Sequence, residues 1–293
     1  MKRSGKKSNS VLAAAVLVLL AIGIGAGAGG HSSDTGETSK YAQEEPQDAS
    51  ESSGDVSDPL SDENAASQQA DSPQDTAQTS SHQTGDTASA SFDLSQVPAY
   101  SGSAETVVNG NRPFFSEEDF TNTTGLQLSS LDSLGRCGVC TGMLGPETLP
   151  TEERGEIGSV RPSGWHTVKY DGISGRYLYN RCHLIAFCLS GLNAEPRNLI
   201  TGTRYLNTEG MLPNETLTCD YIKDSGNHVL YRVTPVFEGS NLVASGVLME
   251  GESVEDRGAS LCFCVYCYNV QPGISIDYAT GDSSGPQYTG SGN

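Results

Sequence analysis

His183 and Arg181 lie two residues apart in Tyr177-Leu-Tyr-Asn-Arg-Cys-His-Leu-Ile-Ala-Phe187. Alternation of side chains predicts a β-strand over this stretch, with Tyr177, Tyr179, Arg181, His183, Ile185 and Phe187 on one face. An imidazole there can take a proton from water while the neighbouring guanidinium holds a phosphate oxygen in its fork. A short connection further on, Asn198 and Asn207 supply side-chain amides whose carbonyl oxygens suit a hard divalent ion. A base, a phosphate-binding cation and oxygen ligands for a metal are what hydrolysis of a phosphodiester needs.

The elements that must position these residues follow the same pattern of reading. Leu199-Ile200 predicts a short strand and Thr203 onward a helical segment. Pro213 either kinks that segment or splits it into two helices meeting near Leu212. On an unbroken helix Glu215 lies about two turns beyond Asn207 and roughly 80° round, close enough to reach a bound ion through a water. Beyond Asp224-Ser-Gly-Asn227, three runs predict an antiparallel meander: Val229 to Val233, Leu242 to Met249, and Leu261 to Val270. Before the central stretch, Thr106-Val-Val108 reads as strand and Asn109-Gly110 as turn. Ser116-Glu-Glu-Asp119 reads as a helix start, and 151–164 as a polar loop ahead of Trp165, the single tryptophan, which serves there as an anchoring ring.

Asn180-Arg-Cys-His183, Pro196-Arg-Asn198, Asn207 and Glu215 resemble the Asp-Arg-Gly-His signature and the downstream Asn, Asn and Glu of the DNA/RNA non-specific endonucleases. These are ββα-metal nucleases, and the branch most similar is that of the bacterial DNA-entry nucleases. The resemblance is concentrated in residues 177–215 and extends more loosely from Leu126 to Tyr278. It implies an α+β fold: an antiparallel sheet core, a ββα-metal motif, flanking helices and a disordered tail in front. It also implies His183 as general base, Asn207 as ligand of Mg2+ (with Mn2+ able to substitute), Glu215 acting through water, and Asn198 shaping the site. Arg181 would hold phosphate, and Arg204 and Arg161 would contact the backbone of the DNA or RNA substrate. Two positions depart from the signature: Asn180 stands in place of Asp and Cys182 in place of Gly.

Composition divides the chain. Residues 1–30 carry four basic residues and no acid ahead of the apolar run Val11 to Ile24, the pattern of a signal peptide or N-terminal membrane anchor. Export follows, either as a secreted protein or one anchored to the outer face of the membrane, the membrane being a partner only if the segment is retained. Residues 31–95 hold 14 acids, one lysine and two aromatic rings, too little apolar surface to offset ordering, and read as a disordered linker. Residues 96–280 form the expected domain and 281–293 a flexible tail. The formal net charge of −19 opposes a broad nucleic-acid-binding surface. Between 161 and 204 the sign reverses, with six basic residues against Asp171 and Glu195, as a small cationic cleft in an acidic body requires. No protein partner can be inferred.

Eight cysteines in an exported chain favour disulfides over free thiols, in pairings the sequence leaves open. The alternative is a zinc site built from Cys137-Gly-Val-Cys140 and Cys262-Phe-Cys-Val-Tyr-Cys267. Two rival functions also stand. One is a sortase-like cysteine transpeptidase using Cys219 of Thr216-Leu-Thr-Cys219, with His183 upstream and Arg232 downstream. The other is a catalytically inactive surface module that binds nucleic acid, consistent with Asn180, Cys182 and the acidic composition.

Overall fold

The computed structural model describes residues 91–286. The expected leader, all but the end of the linker, and residues 287–293 of the tail lie outside this range. Among the described residues no helix is long and apolar enough to cross a membrane.

The chain enters with strand β1 (Glu105–Val107), helix α1 (Glu117–Asn122), β2 (Leu126–Leu128) and β3 (Cys140–Leu144). It continues through β4 (Tyr179–His183), the single turn α2 (Phe187–Ser190) and β5 (Leu199–Thr203) to a π turn, Leu206–Met211, that runs into α3 (Leu212–Ser225). The meander β6 (Val229–Val236), β7 (Gly246–Ser253) and β8 (Cys262–Tyr268) follows. A short pair, β9 (Ser275–Ile276) and β10 (Ser283–Ser284), lies beyond it. The expected α+β class is observed.

Six strands form one antiparallel sheet in the order β1-β8-β7-β6-β3-β2. Its three central strands alternate or run apolar because both faces are largely covered. Cys219 and Ile222 of α3 join Val229, Tyr231, Met249, Phe263 and Val265 of the sheet in one core cluster. Gly251 on β7 sits between Tyr231 and Phe263 in the register, whose rings meet edge to face at 6.0 Å. A Cβ at Gly251 would lie 2.5 Å from the Phe263 ring, so glycine is what lets the aromatic pair close over the strand.

Several expectations take sharper form. Ser116 caps α1 with a full capping box, its hydroxyl accepting from the Asp119 amide and the Asp119 carboxylate accepting from the Ser116 amide. The predicted division near Leu212 is present as a change from π to α geometry, with Pro213 in the first turn of α3, where a missing N–H costs nothing. Strand β3 was not anticipated: its short run around Gly142 carries no clear alternation, and tertiary pairing with β2 and β6 makes it a strand. The predicted strand Tyr177 to Phe187 is shorter than expected, ending at His183. Asn198 accounts for that stop, since its amide accepts from Ile185 N at 2.9 Å and donates to Ile185 O at 2.9 Å. With its backbone polar groups taken by a side chain, Ile185 cannot continue the ladder. Order begins before the expected domain start at 96, as Phe92 stacks on Tyr266 with centroids 6.0 Å apart.

Candidate active site

Strands β4 and β5 form their own antiparallel pair, with Tyr179 opposite Thr203, Arg181 opposite Thr201, and His183 opposite Leu199. Fully buried Asn269 fastens this pair to the meander. Its carbonyl oxygen accepts from Thr203 N at 2.8 Å while its amide nitrogen donates to Thr201 O at 3.1 Å and Ala244 O at 2.9 Å. The Thr203 hydroxyl donates to Val270 O at 2.6 Å and accepts from Leu206 N at 2.9 Å, which starts the helical segment. The two-stranded pair and the helix after it are therefore held as one unit against the large sheet.

His183 is buried, and its Nε2 lies 3.1 Å from the backbone carbonyl of Asn193. A carbonyl oxygen only accepts, so Nε2 carries the proton and Nδ1, buried in this structure, keeps the lone pair. Asn193 is in turn fixed by its side chain, whose oxygen accepts from Gly155 N at 2.7 Å. Sequence reasoning gives Asn193 no role. Its contribution comes through the backbone, which leaves no trace in residue type.

Arg181 is placed differently from expectation. Its guanidinium donates to Val160 O at 2.5 Å and Gly158 O at 2.9 Å and stacks over the Trp165 ring, 4.0 Å from the centroid. It anchors the 157–165 loop against β4, and that loop carries exposed Arg161. The anchoring role read for Trp165 is observed. Arg204, half-buried, leads from β5 into the helical segment and donates its backbone N–H to Leu178 O at 2.8 Å. Arg197 pairs with Glu195 at 2.9 Å, a pair already balanced in the local surplus of positive charge.

Asn207 and Glu215 are both buried, on consecutive parts of the same helical segment. The geometry between them differs from that of an unbroken helix. Leu212 N–H bonds to Asn207 O, an i to i+5 turn that absorbs one extra residue. Subtracting one residue's advance of about 100° cuts the offset between the two side chains from roughly 80° to roughly 20°. The π turn thereby sets both on one side of the helix, and side chains lean toward the helix N-terminus, so Glu215 leans toward Asn207. Glu215 also borders the sheet: burial first, and then its charge, push the Tyr231 phenol well above its ordinary value.

Asn180 and Cys182 point to the other face of β4 from His183. The Oδ1 of Asn180 is buried without a hydrogen-bond partner. Cys182 is accommodated across the pair by Gly202, where an added Cβ would collide with the Cys182 sulfur. The departure at 182 is thus compensated within the pair itself.

The two cysteine clusters once considered for zinc do not meet. Cys140 is on β3 and Cys262, Cys264 and Cys267 on β8, three strand spacings away, or about 14 Å. Among the described residues no group of three His, Cys, Asp or Glu could hold a metal ion. A cysteine transpeptidase fares no better. Cys219 is buried in α3, while Arg232 is committed to Glu250 at 2.7 and 2.9 Å and so cannot serve it.

Residues 118–255 match the family model described as DNA/RNA non-specific endonuclease. Among solved structures, NucA from Streptococcus agalactiae with no metal bound is similar at 26% identity and a TM-score of 0.52, over 60% of this chain and 85% of that one. NucA with magnesium ion bound is similar at 24% identity and a TM-score of 0.53, over 60% of this chain and 86% of that one. The matched segment holds the signature of residues 180–215 on a strand pair followed by a helix, so residues 118–255 match the domain of the DNA/RNA non-specific endonuclease family.

Proposed function

We propose that this chain hydrolyses phosphodiester bonds in both DNA and RNA, with little sequence preference, with the aid of a Mg2+ ion that Mn2+ can replace. The observation that carries the reading is the bond from His183 Nε2 to the Asn193 carbonyl, which leaves Nδ1 as the basic nitrogen. His183 takes a proton from water as that water attacks phosphorus. Asn207, through its amide oxygen, and Glu215, through a water, are the residues to hold the ion. The donors of both are hard oxygens, the kind Mg2+ prefers. Bound there, the ion neutralises charge that develops on the phosphate and on the leaving oxygen.

Asn198 keeps the strand end at His183 in place through its two bonds to Ile185. Arg181 positions the loop bearing Arg161 and, with Arg204, contributes positive charge toward phosphate. Contacts confined to phosphate give no base readout, hence little sequence preference. The N-terminal sequence supports export of the 96–280 domain on a linker, in secreted form or anchored to the outer face of the membrane.

Incubation of the exported protein with plasmid and with RNA, with Mg2+ and with a chelator, tests the reading. Degradation of both substrates that the chelator stops and that His183→Ala abolishes is the expected result. Binding without cutting at any metal concentration would replace it with the inactive module.

A further inference from the structure

Four of the eight cysteines spend their thiols on other groups. Cys137 donates to Leu199 O at 3.1 Å and Cys140 to Arg197 O at 3.4 Å. Cys262 donates to Asn111 O at 3.5 Å, and Cys267 faces Met249 Sδ at 3.6 Å. Cys188 and Cys219 differ. Cys219 Sγ donates to Cys188 O at 3.5 Å across the contact between α2 and α3, and each thiol shifts the ionisation of the other. Cys219 is buried in the core cluster, and Cys188 packs against that cluster while remaining partly exposed.

We infer that Cys188 and Cys219 are joined by a disulfide in the exported protein, forming a covalent clamp between the turn that follows His183 and the helix that carries Asn207 and Glu215. Three observations meet in this pair: the Cys219 sulfur set 3.5 Å from the Cys188 carbonyl, one of the two residues partly exposed, and a sequence with the N-terminal pattern of export to an oxidising compartment. Lys223, one turn on, also bonds the Cys219 sulfur. The Cys188 thiol first, and then this ammonium, draw Cys219 down to about 7 against the opposing effect of burial. Thiolate is thus available near neutral pH.

The oxidant is a disulfide of a small thiol or of a thiol oxidoreductase. The Cys188 thiol attacks one sulfur of the donor disulfide, its proton going to the departing donor sulfur, and is left as a mixed disulfide. The Cys219 thiolate then attacks the Cys188 sulfur, expelling the second donor thiolate. Two protein thiols are oxidised to one disulfide, and one donor disulfide is reduced to two thiols.

Mass mapping of the full exported chain, alkylated before any reduction and digested, tests the pairing. The expected species links the Cys188 peptide to the Cys219 peptide, two hydrogens lighter than the separate pair. Closing a loop of this length also predicts that reduction lowers the midpoint of thermal unfolding by roughly 7–14 °C. The paired variant Cys188→Ser/Cys219→Ser should lose that dependence on reductant. Both cysteines alkylated in full after equilibration with oxidised glutathione, or Cys188 linked to any other cysteine, overturns the inference. Neither readout depends on cleavage of nucleic acid, so failure of the clamp is distinguishable from failure of the nuclease reading.

Discussion

The Nε2 of His183 donates to the backbone carbonyl of Asn193 at 3.1 Å, and the side chain of Asn193 accepts from Gly155 N at 2.7 Å. One residue thus couples the imidazole to the loop on the far side of the connection. Replacing His183 with Ala should reduce plasmid cleavage by roughly 10²–10⁴-fold while nucleic-acid binding persists. Asn193→Ala keeps the carbonyl but frees the loop, so a smaller fall in kcat with KM little changed is expected. Steady-state kinetics on a defined oligonucleotide separate the two, and equal effects in both variants would count against a positioning role for Asn193.

Asn207 and Glu215 share a helix side because of the π turn. Glu215→Gln should raise the Mg2+ concentration needed for half-maximal activity by about 10–100-fold, and Asn207→Ala should raise it further. Titration of activity against Mg2+ measures both. An unchanged metal requirement in either variant would remove that residue from the metal site.

Arg181 bonds two loop carbonyls and stacks on Trp165, so its loss acts on the fold. Arg181→Ala should lower stability by about 2–3 kcal/mol, the scale of charge-assisted bonds lost from a partly buried site. Lysine should rescue little, having no planar fork and no flat face to stack. Urea unfolding of the three proteins provides the comparison.

Gly202 makes room for Cys182 across the strand pair. Gly202→Ala alone should destabilise by about 1–3 kcal/mol through overpacking. Combined with Cys182→Gly, which removes the colliding sulfur, it should cost markedly less than the sum of the two single changes. Strict additivity in that double-mutant cycle would show that the two sites do not touch.

His228 sits beside Glu255 at 2.7 Å and Glu147 at 3.4 Å. The hydrogen bond that the His228 ring donates to Glu255 leads in raising its pKa above the usual imidazole value. A group whose folded value is raised contributes stability that is fully present below the unfolded value and fades as pH climbs through the folded one. Burial opposes, but the bonds from His228 win, and Glu255 ends below its ordinary carboxylate value. Its contribution is therefore lost as pH falls through that lowered value. Thermal unfolding scanned from acid to alkaline pH should show this bridge as a stabilising window between the two titrations, shallow because both partners are partly exposed. Glu255→Gln should flatten it, and an identical pH profile in that variant would refute the assignment.

Much of this protein is legible in the residue string because the relevant signals are local. The spacing from Asn180 to Glu215 marks a candidate site, Ser116-Glu-Glu-Asp119 announces a capped helix, and the alternation after Val229 announces a meander. These depend on propensity and periodicity over a few residues, which neighbours far along the chain scarcely alter. What tertiary structure alone decided concerns groups brought together from distant positions or acting through the backbone. The strand at Cys140–Leu144 exists because β2 and β6 flank it. The strand of His183 stops where it does because Asn198 takes the Ile185 hydrogen bonds. Arg181 turns to loop carbonyls, Asn193 fixes the imidazole through its own carbonyl, and Cys188 rather than any other cysteine meets Cys219. Such pairings are set by packing the two-stranded unit against the six-stranded sheet, a free-energy choice made by the whole chain at once.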